Sequence, residues 1–102
     1  MSILHIVNKS PFEHTSMNAC LRLAKKGASI IFIEDGTYAL RPGSTVADKI
    51  ATAMQDYRVY ALEPDMVARG LSKDAALQGV FWVDYAGFVQ LTTEHDKVNS
   101  WL

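Results

Sequence analysis

The sequence predicts an α/β fold: a three-layer sandwich with a mostly parallel sheet of four or so strands and helices on both faces. Short runs rich in branched and aromatic residues alternate with segments of helical periodicity, and two of those runs are almost entirely apolar. A helix between two strands carries the chain back to the starting edge, so successive strands run parallel and the crossover between them is right-handed. With 102 residues the chain has room for a single domain, residues 1–102.

Four segments have the composition and length of β-strands. They are ILHIV (3–7), ASIIFIE (28–34), YRVYAL (57–62) and GVFWV (79–83). The second and fourth are nearly continuous in apolar residues, which is typical of strands buried on both faces of a sheet. Sites in parallel sheets form at the carboxyl ends of the strands, so the loops that follow these runs are the first places to search.

Helical patterns occupy the segments between the strands. In residues 16–26, apolar side chains recur at helical spacing: Met17, Cys20, Leu21 and Ala24. Ser16 is suited to cap the start of this helix and Gly27 its end.

Two further helices are indicated by their end signals. Thr45 followed by Asp48 resembles a capping box and opens a helix through about Met54. Pro64 is suited to the first position of a short helical turn, which Gly70 ends.

The overall charge argues against a polyanionic partner. The net charge is −1 with a sequence pI near 6.3, and the densest basic run is expected to lie on a solvated helix face: Arg22, Lys25 and Lys26. Direct nucleic-acid binding is therefore not expected. The first ten residues lack the pattern of a signal peptide or membrane span, so no membrane partner and a cytoplasmic location are expected.

No cofactor or metal is expected either. A single cysteine excludes an intramolecular disulfide and a multi-cysteine zinc site. His5, His14 and His95 have no metal-ligand spacing, and His5, inside a predicted strand, is expected to be a satisfied core histidine. The segment RPGST (41–45) lacks the ending of a phosphate-binding loop and is expected to be a turn followed by a helix cap.

Cys20 is the candidate nucleophile, and local physics leaves its role open. It shares the apolar stripe of its helix, which favours a packed, unreactive thiol, because free cysteine is among the most buried residue types. A helix amino terminus stabilises a thiolate, but with Ser16 as N-cap Cys20 lies just past the first turn, where the dipole effect is concentrated. Lys9 and His14, in the loop before the helix, are the candidates to favour the anion.

A second candidate is the acidic pair Glu34 and Asp35, at the end of the second strand. Two adjacent carboxylates can raise one pKa for acid–base work. Acids that precede a glycine at a strand end more often serve the turn, so the structural role is favoured here.

The C-terminal third is rich in aromatic residues. A largely apolar stripe runs along one side of the helical segment 84–95: Tyr85, Phe88, Val89 and Thr92. We expect the aromatics of this region to be divided evenly between the sheet core and a subunit interface: Phe81, Trp82, Tyr85 and Phe88. Trp101 and Leu102 are expected to be packed, because chain ends fray unless apolar contacts hold them.

Taken together, these segments resemble the DsrH/TusB family of small sulfur-relay subunits. The matching stretches cover almost the whole chain: LHIVNKSPFE (4–13), Cys20 with LRLA after it, IEDGTYA (33–39), YALEPDMVARG (60–70) and DYAGFVQLTTEHDKVNSWL (84–102). The resemblance implies a DsrE/DsrF/DsrH-type fold, which agrees with the class predicted above.

The resemblance also implies partners and an activity. The chain would belong to a heterohexamer with DsrE/TusD-like and DsrF/TusC-like subunits, which passes persulfide sulfur to a DsrC/TusE-like carrier. The principal sulfur-accepting cysteine of such complexes belongs to the DsrE/TusD partner. Cys20 would then be an auxiliary persulfide site, or the chain would be a purely structural, non-catalytic subunit.

Two pathways are compatible with this resemblance. A cysteine at this position is characteristic of DsrH-type members and favours intracellular sulfur oxidation. The alternative is a TusB-like role in the synthesis of 2-thiouridine at the tRNA wobble position.

Overall fold

A single parallel β-sheet organises the structure, a computed structural model that describes residues 2–101. Its strands are β1 (Ile3–Val7), β2 (Ser29–Phe32), β3 (Arg58–Leu62), β4 (Phe81–Val83) and β5 (Lys97–Trp101). They lie in the order β4-β3-β2-β1-β5, and every neighbouring pair is parallel. The predicted α/β class is confirmed.

The fifth strand is missing from the sequence prediction, which treats the end of the chain only as a packed tail. Residues 97–101 are mostly polar and exposed, so no apolar alternation marks them as a strand. Their strand conformation comes from pairing with β1, in a register that sets Ile3 opposite Lys97 and Val7 opposite Trp101. This long-range pairing leaves no local signal.

Four α-helices connect the strands: α1 (Ser16–Leu23), α2 (Thr45–Ala53), α3 (Glu63–Ala68) and α4 (Tyr85–Glu94). The chain moves in one direction across the sheet from β1 to β4 and then returns to β5 at the opposite edge. Right-handed crossovers therefore place α1, α2 and α3 on one face of the sheet and α4 alone on the other.

Two apolar clusters correspond to these two faces. The larger one joins α1, α2 and α3 to the sheet through Cys20, Ile50 and Met66. The smaller one consists of Leu4 and Ile31 from the sheet and Leu91 from α4, with partly buried neighbours. The predicted three layers are present, but the α4 layer is a single helix.

Several helix ends differ from those predicted, among them the start of α1, where Thr15 and not Ser16 is the N-cap residue, and the end of α3 at Ala68 rather than Gly70. Helix α1 ends at Leu23, well before Gly27, because Ala24 is extended and its carbonyl accepts a hydrogen bond from the Tyr57 hydroxyl at 2.7 Å. Helix α2 is capped by Ser44, whose side chain accepts from the Ala47 N–H, rather than by Thr45. The predicted reading of RPGST as a turn and cap is confirmed.

The segment after β2 is a 3-10 helix, Glu34–Leu40, where the sequence predicts only a break. Gly36 makes this arrangement possible, since a Cβ there would overlap with the carbonyl oxygen of Val7 at the end of β1. That carbonyl accepts a hydrogen bond from the Ile33 N–H at 3.0 Å. The loops that end β1 and β2 are therefore held directly against each other.

Candidate functional site

Cys20 lies in the core rather than at the surface. It is on the sheet-facing side of α1, 0% exposed, in the cluster that contains Met17 from the same helix and Phe32 from β2. Burial raises the pKa of the thiol to about 12, because the low-polarity surroundings disfavour the thiolate. The thiol in this conformation is a protonated, packed group.

The polar residues predicted to assist Cys20 are not assembled around it. His14 is exposed in the loop before α1, and within the described residues no hydrogen bond joins it to the buried thiol. Lys9 is half-buried in the same loop. An open groove of about 480 Å³ between α1 and α2 does not reach the thiol, since its lining is formed by Asn18, Leu21, Arg22, Asp48, Lys49 and Thr52.

The acidic pair at the end of β2 is held in a structural network. Glu34 has a φ of 50°, unusual for a residue with a side chain, and its backbone N–H donates to an Asp65 carboxylate oxygen at 2.6 Å. Asp35 accepts two hydrogen bonds from the Arg69 guanidinium, at 3.1 and 2.9 Å. These contacts tie the 3-10 helix to α3, a structural role, whereas the sequence predicted that the pair would serve its own turn.

Arg69 is a residue that the sequence analysis missed. Besides binding Asp35, its guanidinium lies 5.9 Å from the centre of the Tyr38 ring, and Arg41 lies at the same distance from that ring. Cation–π contacts of this kind add to the ion pair. No local pattern reveals this cluster, because Asp35 and Arg69 are 34 residues apart.

His5 is buried on β1, as predicted for a core histidine, but it is only half satisfied. Its Nδ1 accepts a hydrogen bond from the Trp101 indole N–H at 2.9 Å. Since that indole only donates, the neutral ring carries its proton on Nε2, which has no partner among the described residues. Desolvation lowers the pKa of His5, because burial disfavours the charged imidazolium.

The Trp101 contact confirms that the end of the described chain packs on its own domain. The indole is half-buried against the α1 side of the sheet, and its hydrogen-bond partner His5 lies 96 residues earlier in the chain. The expectation for Leu102 falls outside the described residues.

The aromatic residues around β4 and α4 divide evenly between core and solvent. Trp82 and Phe88 are partly buried against the two apolar clusters. Phe81 and Tyr85 are exposed. The stripe predicted on α4 therefore does not coincide with the side of the helix that packs on the sheet.

Residues 2–101 carry neither a cluster of metal ligands nor a helix that could span a membrane. These residues contain no group of three or more His, Cys, Asp or Glu side chains arranged to hold a metal ion. None of the helices in this range is both long and apolar enough to cross a membrane.

Solved structures confirm the architecture. The chain superimposes on the ychN protein from E. coli with a TM-score of 0.82 and 22% identity, covering 98% of both chains. It superimposes on a protein of unknown function from Methanobacterium thermoautotrophicum with a TM-score of 0.66 and 19% identity, covering 96% of both chains. At these identities the likeness shows the fold alone.

Sequence comparisons identify the family. The family model described as "DsrH like protein" matches residues 9–98. Proteins named TusB from Pectobacterium carotovorum and Escherichia coli K12 are each 32% identical over 99 residues, covering 97% of this chain and 100% of each relative. A TusB protein from Shigella flexneri is 33% identical over the same shares. With matches of this extent, the chain belongs to the DsrH/TusB family.

Proposed function

We propose that this chain is a subunit of a cytoplasmic sulfur-relay complex, in which it shapes the assembly and does not itself carry sulfur. Membership of the DsrH/TusB family supports a sulfur-relay subunit. The observation that carries the structural role is the complete burial of Cys20 together with a pKa raised to about 12.

Sulfur relay through a cysteine has strict requirements. A thiolate attacks the outer sulfur of a donor persulfide, so that a new S–S bond forms while the donor S–S bond breaks and the donor leaves as a thiolate. A second thiolate then removes the transferred sulfur. Both steps need a thiol that is deprotonated and open to a macromolecular partner. Cys20 in the observed packing meets neither requirement, whereas the resemblance assigns the principal cysteine to a DsrE/TusD-like subunit.

The experiment offers a small-molecule persulfide to the complex of this chain with its DsrE/TusD-like and DsrF/TusC-like partners. Intact-mass spectrometry then reads the sulfur gained by each subunit. We expect the cysteine of the DsrE/TusD-like subunit to gain sulfur and this chain to gain none. We also expect Cys20→Ala to leave the rate of transfer to a DsrC/TusE-like carrier unchanged.

The contrary result would be sulfur on Cys20 together with a large loss of transfer rate in Cys20→Ala, with assembly intact by native mass spectrometry. That outcome would support the auxiliary persulfide role predicted for Cys20. Alanine is used because serine would place a hydroxyl in an apolar core, where an unpaired polar group costs about 1–3 kcal/mol.

Cys20 also bears on the choice between the two pathways. The preference for sulfur oxidation rested on the presence of a cysteine at position 20, and complete burial leaves that thiol without access to a sulfur donor. We infer a TusB-like role in tRNA 2-thiouridine synthesis, supported by the TusB relatives at 32–33% identity. Nucleoside mass spectrometry of tRNA from a deletion strain should then show loss of wobble 2-thiouridine. Unchanged tRNA with impaired sulfur oxidation would instead select the DsrH-type pathway.

A further inference from the structure

The sheet face covered by α4 carries a set of exposed apolar side chains, which we call the α4 face. It consists of Phe81, Tyr85, Val89 and Val98. Val98 lies opposite Leu4 in the β1–β5 register, and Leu4 packs in the same cluster as Leu91 of α4. The Phe81 ring lies 5.5 Å from that of Tyr60, which also packs in this cluster. Phe81 on β4 and Val98 on β5 lie at opposite edges of the sheet, with α4 on the face between them, so the exposed side chains extend across the width of this face.

The orientation of α4 about its own axis explains why Tyr85 and Val89 are exposed. Leu91 is buried against the sheet, and His95, one turn later, reaches the Ser29 hydroxyl of β2 at 2.9 Å. At about 100° per residue, Tyr85 lies roughly 120° and Val89 roughly 160° around the helix axis from Leu91, so both are directed away from the sheet. A helix packed on the sheet by one side thus presents a second apolar side to solvent.

Charge is sparse on this side of the molecule, where Arg58 of β3 is exposed on the same side of the sheet, paired in register with Ser29. Residues 85–93 contain no Asp, Glu, Lys or Arg, although most of them are exposed. The exposed sides of the other long helices do carry charges, as Arg22 on α1 and Asp48 and Lys49 on α2 show. Depletion of charged residues with enrichment of aromatics distinguishes the core of a protein–protein interface from ordinary surface.

The combined apolar area of these side chains, spread across the width of the sheet, suits a subunit contact. Phe81 is 56% exposed, Tyr85 59% and Val89 61%. With roughly 200 Å² for a whole aromatic side chain, the four residues expose on the order of 400 Å² of apolar surface. A stable interface buries about 800 Å² on each partner, of which somewhat more than half is apolar. The α4 face supplies approximately that apolar share.

We propose that the α4 face is the surface through which this chain binds a homologous α/β subunit of its complex. The inference rests on the proposed function and adds to it the contact surface and the chemistry of the partner. An uncharged apolar patch is complemented by another uncharged apolar surface. The single exposed Arg58 beside it is not the cluster of basic residues that recognises nucleic acid or anionic lipid.

The test uses a matched pair of exposed helical valines. Val89 is 61% exposed on the α4 face, and Val67 is 64% exposed on α3, which packs on the opposite side of the sheet. Each is replaced by lysine in the full chain, which is co-expressed with the DsrE/TusD-like and DsrF/TusC-like subunits. Native mass spectrometry and titration of the purified chains measure assembly.

Because an unpaired ammonium is costly to bury, Val89→Lys should weaken assembly at least about tenfold. Val67→Lys should assemble like the wild type, and both variants should keep the wild-type melting temperature because both sites are exposed. Tyr85→Lys is a second variant with the same expectation.

The outcomes separate this inference from the proposed function. If the wild-type chain does not assemble with these partners, the proposed function fails. If the wild type assembles and Val89→Lys and Tyr85→Lys assemble equally well, only the α4-face inference is overturned. Self-association of the isolated chain that Val89→Lys abolishes, with assembly of the complex unaffected, would overturn it in favour of a second copy.

Discussion

Replacing Met17 by alanine should make Cys20 accessible to thiol reagents about a hundred times more often than it is in the native chain. Met17 is 2% exposed and lies one helical turn before Cys20 in the same apolar cluster. In the closed structure, raising the thiol pKa from 9.0 to about 12 lowers the thiolate fraction near neutral pH about a thousandfold. Labelling therefore proceeds through opened states, in which the thiol regains its ordinary pKa.

The magnitude follows from the cavity that the substitution leaves. Truncating a buried methionine to alanine costs about 3 kcal/mol, which lowers the free energy of opening by the same amount. Since about 1.4 kcal/mol corresponds to a factor of ten, the open population rises about 100-fold. The assay is the labelling rate with a disulfide reagent, measured near pH 7.5 with excess reagent and compared with that of the urea-unfolded chain.

The matched control is Leu23→Ala on the same helix, where the side chain is 62% exposed and its loss leaves no cavity. Its labelling rate should equal that of the wild type. Wild-type labelling within about tenfold of the unfolded rate would refute the reasoning, since a thiol so ionised and accessible would not be a core group. Equal rates for Met17→Ala and the wild type would refute the opening mechanism.

Two further predictions concern stability. Gly36→Ala should destabilise the fold by about 2–4 kcal/mol and lower Tm by roughly 10–20 °C, because its Cβ would overlap with the Val7 carbonyl. The control is Gly43→Ala, because Gly43 has a φ of 91° but open space around it; calorimetry should show a loss of only about 1 kcal/mol in the free energy of unfolding. Equal losses of stability in the two variants would contradict the overlap at Gly36. Because the pKa of His5 is lowered in the folded chain, the unfolded chain binds a proton more readily. The contribution of His5 to the free energy of unfolding is therefore complete above about pH 6.5 and is lost as pH falls through the folded-state pKa. Urea unfolding near pH 7.5 and 5.5 should show this loss in the wild type and in His14→Gln, whereas a loss confined to the wild type would assign the effect to His14.

Much of the fold could be predicted because its signals are local. The apolar run around Ile31 predicts a buried strand, and the helical spacing of Met17 and Cys20 predicts a buried helix face. All three residues are buried in the structure. The favoured packing of Cys20 follows from the same periodicity. The predicted structural role of Asp35 also appears, although its partner Arg69 is set by tertiary structure.

The sequence alone determined the α/β class, four of the five strands and the family, because periodicity and motif order are properties of neighbouring residues. Tertiary structure decided the rest: the pairing of β5 with β1, the hydrogen bond between Trp101 and His5, and the rotation that leaves Tyr85 and Val89 in solvent. Each of these depends on atoms brought together from distant parts of the chain. An apolar stripe shows that a surface is to be buried, but only packing shows whether the chain's own sheet covers it.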